Sequence, residues 1–129
     1  MLDTNVIVAA FAARGLCAEV FEVCASGHAL LISEHILAEV NNALLKKVKL
    51  PERVAREVTE YLRDIAEIVE PEPVTESMCR DKQDLPVLGT AAGGNADFIV
   101  TGDKDLLELK SHMGIDIITP REFWERMRL

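Results

Sequence analysis

The chain has 129 residues, the usual size of one domain, and 49% of them are hydrophobic, which is enough to form a substantial core. Its 14 basic and 22 acidic residues give a formal net charge of −8, which argues against a protein that coats nucleic acid by bulk electrostatic attraction. A nucleic-acid substrate would therefore need a local basic patch or bound cations.

The first part of the chain alternates short β-branched runs with amphipathic segments. Residues 2–11 predict a very short buried first strand, although their later alanines could equally open a helix. Residues 14–26 have apolar side chains at helical spacing and stop at Gly27. Residues 28–32 predict the second strand, and Ser33 can cap the amphipathic helix that follows it.

The rest of the chain continues this alternation. Pro51 predicts the start of another helix. The further predicted elements are a brief strand around Ile68 and Val69, a surface connection at 70–83, a helix at 85–92, a strand at 98–101, a helical turn at 106–109, a strand at 115–118 and a last helix opened by the capping box Thr119-Pro120-Arg121-Glu122. This order predicts a single α/β domain, residues 1–129, with a mainly parallel sheet covered on both faces.

The cysteines and the apolar segments indicate the cellular compartment in which the protein is expected. Cys17, Cys24 and Cys79 are odd in number and lack the spacing of a zinc knuckle, so we expect reduced thiols rather than a secreted disulfide framework. No apolar segment is long enough to cross a bilayer, and the opening residues do not resemble a signal peptide. We therefore expect a cytoplasmic protein with no membrane partner.

Two aspartates occupy informative positions relative to the predicted strands. In parallel sheets the functional groups gather beyond the carboxyl ends of the strands. Asp103 follows the strand at 98–101 after one glycine, so it is expected at such an edge. Asp3 is a charge inside the predicted buried first strand, where neither a helix cap nor a turn is expected to explain it.

Two further acids border apolar faces or helix ends. Glu39 lies beside the inward stripe of the third predicted helix, and Asp84 precedes the helix at 85–92. If these acids converge with Asp3 and Asp103, their repulsion requires a hard divalent cation such as Mg²⁺ or Mn²⁺. Such a cation would activate water and stabilise charge on a phosphodiester, with Glu39 or Asp103 as the residue that orients or deprotonates the water.

Each acid also has a structural interpretation. Asp84 could be only an N-cap, Asp103 only a turn residue and Glu39 only a partner of Lys46 or of another surface base. The side chains expected to support the acids through hydrogen bonds are Thr4, Asn5 and Thr101.

A basic run follows the third predicted helix. Lys46, Lys47 and Lys49, continued by Arg53, are most simply a solvated helix end, because cations are favourable near a helix C-terminus. The alternative is a patch that binds the RNA backbone.

Four segments carry the acids in a characteristic order. They are Leu2-Asp3-Thr4-Asn5-Val6, residues 33–40, Arg80-Asp81-Lys82-Gln83-Asp84 and residues 96–107. Together they resemble the PIN-domain nucleases, in particular the PIN-type toxins of toxin–antitoxin systems, over nearly the whole chain. The fold expected with this resemblance is a three-layer α/β/α sandwich whose central, mainly parallel sheet has about five short strands.

The resemblance implies that the catalytic acids are Asp3, Glu39, Asp84 and Asp103. Of these, Asp3, Asp84 and Asp103 would bind metal; Asp81 is the alternative to Asp84, and Asp105 is a candidate fifth acid. The implied activity is cleavage of single-stranded RNA with Mg²⁺ or Mn²⁺ by a homodimer that a cognate antitoxin protein inhibits. Three alternatives remain open: a DNA-directed nuclease, a catalytically silent module of this fold that binds RNA or protein, and, as the weakest, a phospho-accepting receiver-type domain.

Overall fold

The computed structural model describes residues 1–74 and 82–127. Helices and short strands alternate along these residues, and none of the described helices is both long and apolar enough to cross a membrane. The elements in chain order are α1 (Thr4–Ala12), α2 (Leu16–Gly27), β1 (Leu31–Ile32), α3 (Glu34–Lys46), α4 (Glu52–Ile65), β2 (Glu67–Ile68), a 3₁₀ turn (Lys82–Asp84), α5 (Leu85–Gly93), β3 (Phe98–Val100), α6 (Lys104–Leu109), β4 (Ser111–His112), β5 (Ile115–Ile118) and α7 (Pro120–Met127).

The strands of the described residues form two small sheets. Strands β1 and β2 pair in parallel. In the second sheet β5 lies in the middle, parallel to β3 and antiparallel to β4. The α/β class is as predicted, but the expected single central sheet of about five mainly parallel strands is not observed. Strands of two to four residues offer few hydrogen bonds through which the two sheets could merge.

The predicted first strand is almost entirely helix. Asp3 accepts a hydrogen bond from the amide of Thr4 and caps α1, which turns its apolar residues Val6 and Ile7 into the core. Only the first three residues are extended, and they run parallel to β3 through hydrogen bonds that Val100 makes with the backbone of Met1 and Asp3. The change moves Asp3 from inside a strand to its carboxyl end.

A hairpin joins β4 to β5 and was not predicted. Met113 and Gly114 at its turn have φ values of 50° and 80°, as a two-residue turn with positive φ at both positions requires. The first turn position holds Met113 rather than the asparagine or aspartate that usually marks such turns, so β4 could not be predicted from the turn residues.

The chain that follows β2 passes directly over α5. The amide of Glu72 donates a hydrogen bond of 2.9 Å to the carbonyl of Gly89. A Cβ atom on Gly89 or Gly93 would collide with the carbonyl oxygen of Glu72 or Glu70, respectively. These two glycines therefore allow backbone to lie against backbone, which fixes α5 close beneath this segment.

The predicted helix caps are confirmed. Ser33 accepts a hydrogen bond from the amide of Ile36 at 3.4 Å. Thr119 and Glu122 exchange reciprocal hydrogen bonds at the start of α7. Among the cysteines, Cys17 is half-buried and Cys24 buried as free thiols, whereas Cys79 lies outside the described residues.

The core lies between the sheets and the surrounding helices. Fully buried side chains from the first three residues, from β3 and from the inner faces of α3 and α5 pack in it. Phe123 of α7 closes one side, with its ring edge-on to that of Phe98 at 6.1 Å. The carboxyl ends of β3 and of the extended residues 1–3 consequently emerge together at one edge of this core.

Candidate active site

Two neighbouring parallel segments end in aspartates that one threonine connects. Thr101, which is fully buried after β3, donates its hydroxyl hydrogen bond to Oδ2 of Asp3 at 2.7 Å. The same hydroxyl oxygen accepts a hydrogen bond of 3.0 Å from the amide of Asp103. Thr101 therefore orients Asp3 directly and Asp103 through its backbone, as expected for a supporting residue.

The electrostatic environment of Asp3 disfavours its charge. Its side chain is only 5% exposed, and burial is the main reason that the pKa of Asp3 is raised above its ordinary value of 3.8. Hydrogen bonds from Thr101 and Thr4 oppose this rise in pKa, whereas the negative charges of Asp103 and Glu39 add to it. The ionised form of Asp3 therefore benefits from a nearby cation.

Glu39 reaches the same region from α3. Its Oε1 accepts a hydrogen bond of 3.1 Å from the Thr4 hydroxyl, and Nε2 of His35 lies 3.5 Å from the same oxygen. Within residues 1–74 and 82–127 Glu39 forms no ion pair with Lys46. Glu39 is therefore not a partner of Lys46, whereas the exposed His35 is a second base in contact with it.

Asp84 is the predicted acid that lies before α5. It ends the 3₁₀ turn that leads into this helix and is 7% exposed. Its side chain makes no capping hydrogen bond to α5, so the interpretation of Asp84 as only an N-cap is not supported. Asp81, the alternative third acid, lies outside the described residues.

Asp103 and Asp105 complete a compact group of acids. Oδ1 of Asp103 accepts hydrogen bonds from the amides of Asp105 at 2.8 Å and Leu106 at 3.4 Å, and thereby caps α6. Carboxylate oxygens of Asp84, Asp103 and Asp105 lie within 4.8 Å of one another. The predicted metal ligand Asp3 is not a member of this group of three, and Asp105 takes its place.

The four predicted catalytic acids line one open cavity of about 320 Å³. Thr4, Asn5, Lys46 and Lys47 also line it, whereas the exposed Lys49 and Arg53 do not. Helix α3 ends at Lys46, so the later part of the basic run leaves the cavity wall. The lining residues in full are Asp3, Thr4, Asn5, Glu39, Asn42, Ala43, Lys46, Lys47, Gln83, Asp84, Val87 and Asp103.

The sequence interpretation missed two amide side chains of this cavity. Asn42 lies three residues after Glu39 on α3, so helical periodicity alone would have placed it on the same face. Gln83 adjoins Asp84 in the 3₁₀ turn, where a sequence pattern offers no comparable signal.

The donor set fits a hard divalent cation. Carboxylate oxygens are the ligands that Mg²⁺ and Mn²⁺ prefer, and those of Asp84, Asp103 and Asp105 lie within 4.8 Å of one another. No histidine or cysteine belongs to this group of three or to the lining of the cavity within the described residues, which argues against a zinc site of the usual type.

The comparison with protein families gives one result. The sequence profile of the PIN domain matches residues 1–105, a range that includes every acid of the cavity. Comparisons with curated proteins and with solved structures gave no significant match.

Proposed function

This chain belongs to the PIN-domain family, and from that membership we propose that it is a metal-dependent endoribonuclease that cleaves single-stranded RNA. PIN domains are typically nucleases, which supports a hydrolase in general terms. The observation that carries the proposal is the convergence of Asp3, Glu39, Asp84 and Asp103 from four separate segments on one cavity. Bringing buried and half-buried carboxylates together raises the free energy of the folded protein unless a positive charge lies near them. A site of this kind is therefore suited to a cation.

The proposed ligands of a Mg²⁺ or Mn²⁺ ion are Asp84 and Asp103, with Asp3 and Asp105 beside them. Such an ion, when bound, supplies a positive charge that stabilises the phosphoryl oxygens and lowers the pKa of water. The protein contributes the fixed positions of the carboxylates. Asp103 is held by its cap on α6 and Asp3 by Thr101, so little reorganisation is needed when substrate binds.

Glu39 is our candidate for the residue that orients or deprotonates the attacking water. It lies outside the compact group of three carboxylates, and the Thr4 hydroxyl fixes only its Oε1. Its other oxygen is therefore the one that we assign to the water. Asp103 is less suited to this task because Oδ1 is already engaged by two backbone amides.

The four acids do not distinguish RNA from DNA, since none of them is assigned to bind the 2′-hydroxyl of the substrate. The preference for single-stranded RNA rests on the sequence resemblance to PIN-type toxins. The same resemblance underlies our proposal that the protein is the toxin of a toxin–antitoxin pair, that it forms a homodimer and that a cognate antitoxin inhibits it. Growth arrest on expression, relieved by co-expression of the adjacent gene, would test the toxin role separately from the chemistry.

The activity is tested with end-labelled oligonucleotides of identical sequence in RNA and DNA form. We expect cleavage of the RNA with Mn²⁺ or Mg²⁺, none with EDTA, and loss of cleavage in the Asp103→Asn variant. Asp64→Asn is the matched control because Asp64 is an exposed aspartate of α4 that does not line the cavity. Cleavage that survives Asp103→Asn after repurification would contradict the proposal. Metal-independent RNA binding without cleavage would instead identify a catalytically silent module.

A further inference from the structure

One face of α3 carries two opposite charges along the wall of the cavity. Glu39, Asn42, Ala43, Lys46 and Lys47 all line the cavity, and their spacing of three, four, seven and eight residues from Glu39 is that of neighbouring turns of a helix. The acid lies near the middle of α3, close to Asp3, whereas the two lysines lie where α3 ends. The helix thus has an acidic part beside the aspartates and a basic part farther along.

The two lysines form no ion pair with the acids of the cavity. Both side chains are exposed, and neither forms an ion pair within residues 1–74 and 82–127. Exposed lysines gain little from surface ion pairs, so both ammonium groups stay accessible at the cavity wall. Glu39, the closest acid on the same helix face, instead contacts Thr4 and His35. The ammonium groups are therefore available to a ligand of negative charge that enters the cavity.

Building on the proposed function, we infer that Lys46 and Lys47 form a phosphate subsite for a nucleotide that flanks the cleaved bond. Seven helical residues separate Glu39 from Lys46, which corresponds to about 10 Å along the axis of α3. The subsite therefore binds a backbone phosphate other than the one at the acids.

This arrangement resolves the conflict between a net charge of −8 and an anionic substrate. The cavity repels a polyanion at its acidic end unless a cation is present, and the lysines provide the attraction at the other end. Lys46 and Lys47 are positioning residues, because they would hold the strand without touching the reacting phosphate. Removing their charge should raise KM while kcat stays nearly unchanged.

The test compares Lys46→Gln and Lys47→Gln with Arg53→Gln in the same basic run. Arg53 is the matched control because the substitution removes one charge from an exposed helical residue that does not line the cavity. The kinetics of RNA cleavage with Mn²⁺ are measured at several KCl concentrations. Each lysine variant should raise KM severalfold and reduce the slope of log(kcat/KM) against log[salt] by about 0.7, the value for one contact to a single strand. Arg53→Gln should leave both quantities unchanged.

A chemical substitution in the substrate locates the subsite. A single neutral methylphosphonate, moved one nucleotide at a time away from the cleaved bond, should impair cleavage by the unaltered protein most at one position that flanks the cleaved bond. The Lys46→Gln/Lys47→Gln double variant should not respond to that modification, because its contact is already lost.

A failure of the phosphate subsite can be distinguished from a failure of the proposed nuclease function. If the unaltered protein cleaves RNA but the lysine variants behave like Arg53→Gln, the subsite is wrong and the proposed nuclease stands. If the unaltered protein shows no metal-dependent cleavage, the proposed function fails and the subsite with it. Thermal stabilisation by Mn²⁺ that is undiminished in the lysine variants would show that the acidic end of the cavity is intact.

Discussion

The hydroxyl of Thr101 and the carboxylate of Asp3, which are 98 positions apart in the sequence, are joined by a buried hydrogen bond of 2.7 Å. It connects the first extended segment of the chain to the end of β3, where each segment is followed by an acid. The bond depends on the parallel pairing of Leu2 with Val100. The placement of Asp3 next to Asp103 is thus a consequence of strand pairing.

The Thr101→Val substitution should destabilise the metal-free protein by about 1–3 kcal/mol, because it leaves the buried Asp3 carboxylate without one of its two donors. Valine keeps the shape of threonine, so the loss is assigned to the hydroxyl. Urea unfolding measures the change. Thr59→Val is the control, since the Thr59 hydroxyl bonds only to a carbonyl of its own helix; an equal loss in both variants would contradict the special role of Thr101.

The Asp84→Asn substitution should weaken the response of the protein to metal. It removes one negative charge from a group whose carboxylate oxygens lie within 4.8 Å of one another. Stabilisation by Mn²⁺ should fall, with affinity reduced by at least about tenfold. Thermal unfolding over a Mn²⁺ series measures this effect, and an unchanged response to Mn²⁺ would exclude Asp84 as a ligand.

The pH dependence of stability in EDTA should identify Asp3. Because the pKa of Asp3 is raised in the folded state, mainly by burial, the folded protein holds this proton more tightly than the unfolded chain does. The contribution of Asp3 to stability is therefore complete below its unfolded pKa of about 3.8 and is lost as pH rises through the folded pKa.

The Asp3→Asn variant should lack this component. The difference in free energy of unfolding between Asp3→Asn and the unaltered protein should grow in favour of the variant as pH rises from 4 toward neutrality. Denaturant titrations at a series of pH values measure this difference. A difference that is constant with pH would show that the Asp3 carboxyl titrates normally.

The Gly93→Ala substitution should cost about 1–3 kcal/mol or more, because its Cβ would meet the carbonyl oxygen of Glu70 and one of the two backbones must shift. Gly27→Ala at the end of α2 is the matched control, since no atom lies within 4 Å of its Cβ. That change should instead be neutral or stabilising by up to about 1 kcal/mol. Chemical denaturation distinguishes a loss of stability from a gain. Similar changes in the free energy of unfolding for the two variants would contradict the close packing of the chain around Glu70 on α5.

The sequence was most informative about the acid that follows a clear strand. Asp103 could be placed at the carboxyl edge of the sheet because it comes directly after the strand at 98–101. Asp3 was expected inside the first strand, and the expectation that no helix cap explains it was wrong, because Asp3 caps α1. Glu39 followed from the apolar stripe of α3. The sequence spacing alone could not show that Asp105 lies next to Asp84 and Asp103. Its position depends on the direction in which α6 continues from β3.

Other features escaped prediction for physical reasons. A short run of apolar β-branched residues satisfies both a buried strand and a buried helix, so the start of α1 at Thr4 was decided by the cap that Asp3 provides. The strands of the described residues form two sheets rather than one because of which distant strands pair with each other. Strands of two to four residues carry no local sequence pattern that predicts this pairing. The orientation of the basic run was likewise fixed by the end of α3, which leaves Lys46 on the cavity wall and Lys49 outside it.

The central claim is that acids from separate segments bind one divalent cation. It is tested most directly by the anomalous diffraction of a crystal of this protein soaked in Mn²⁺. We predict a manganese peak within coordination distance of carboxylate oxygens of Asp84 and Asp103, with Asp3 or Asp105 next to it. Well-ordered acids with no manganese between them at saturating concentration would contradict the claim.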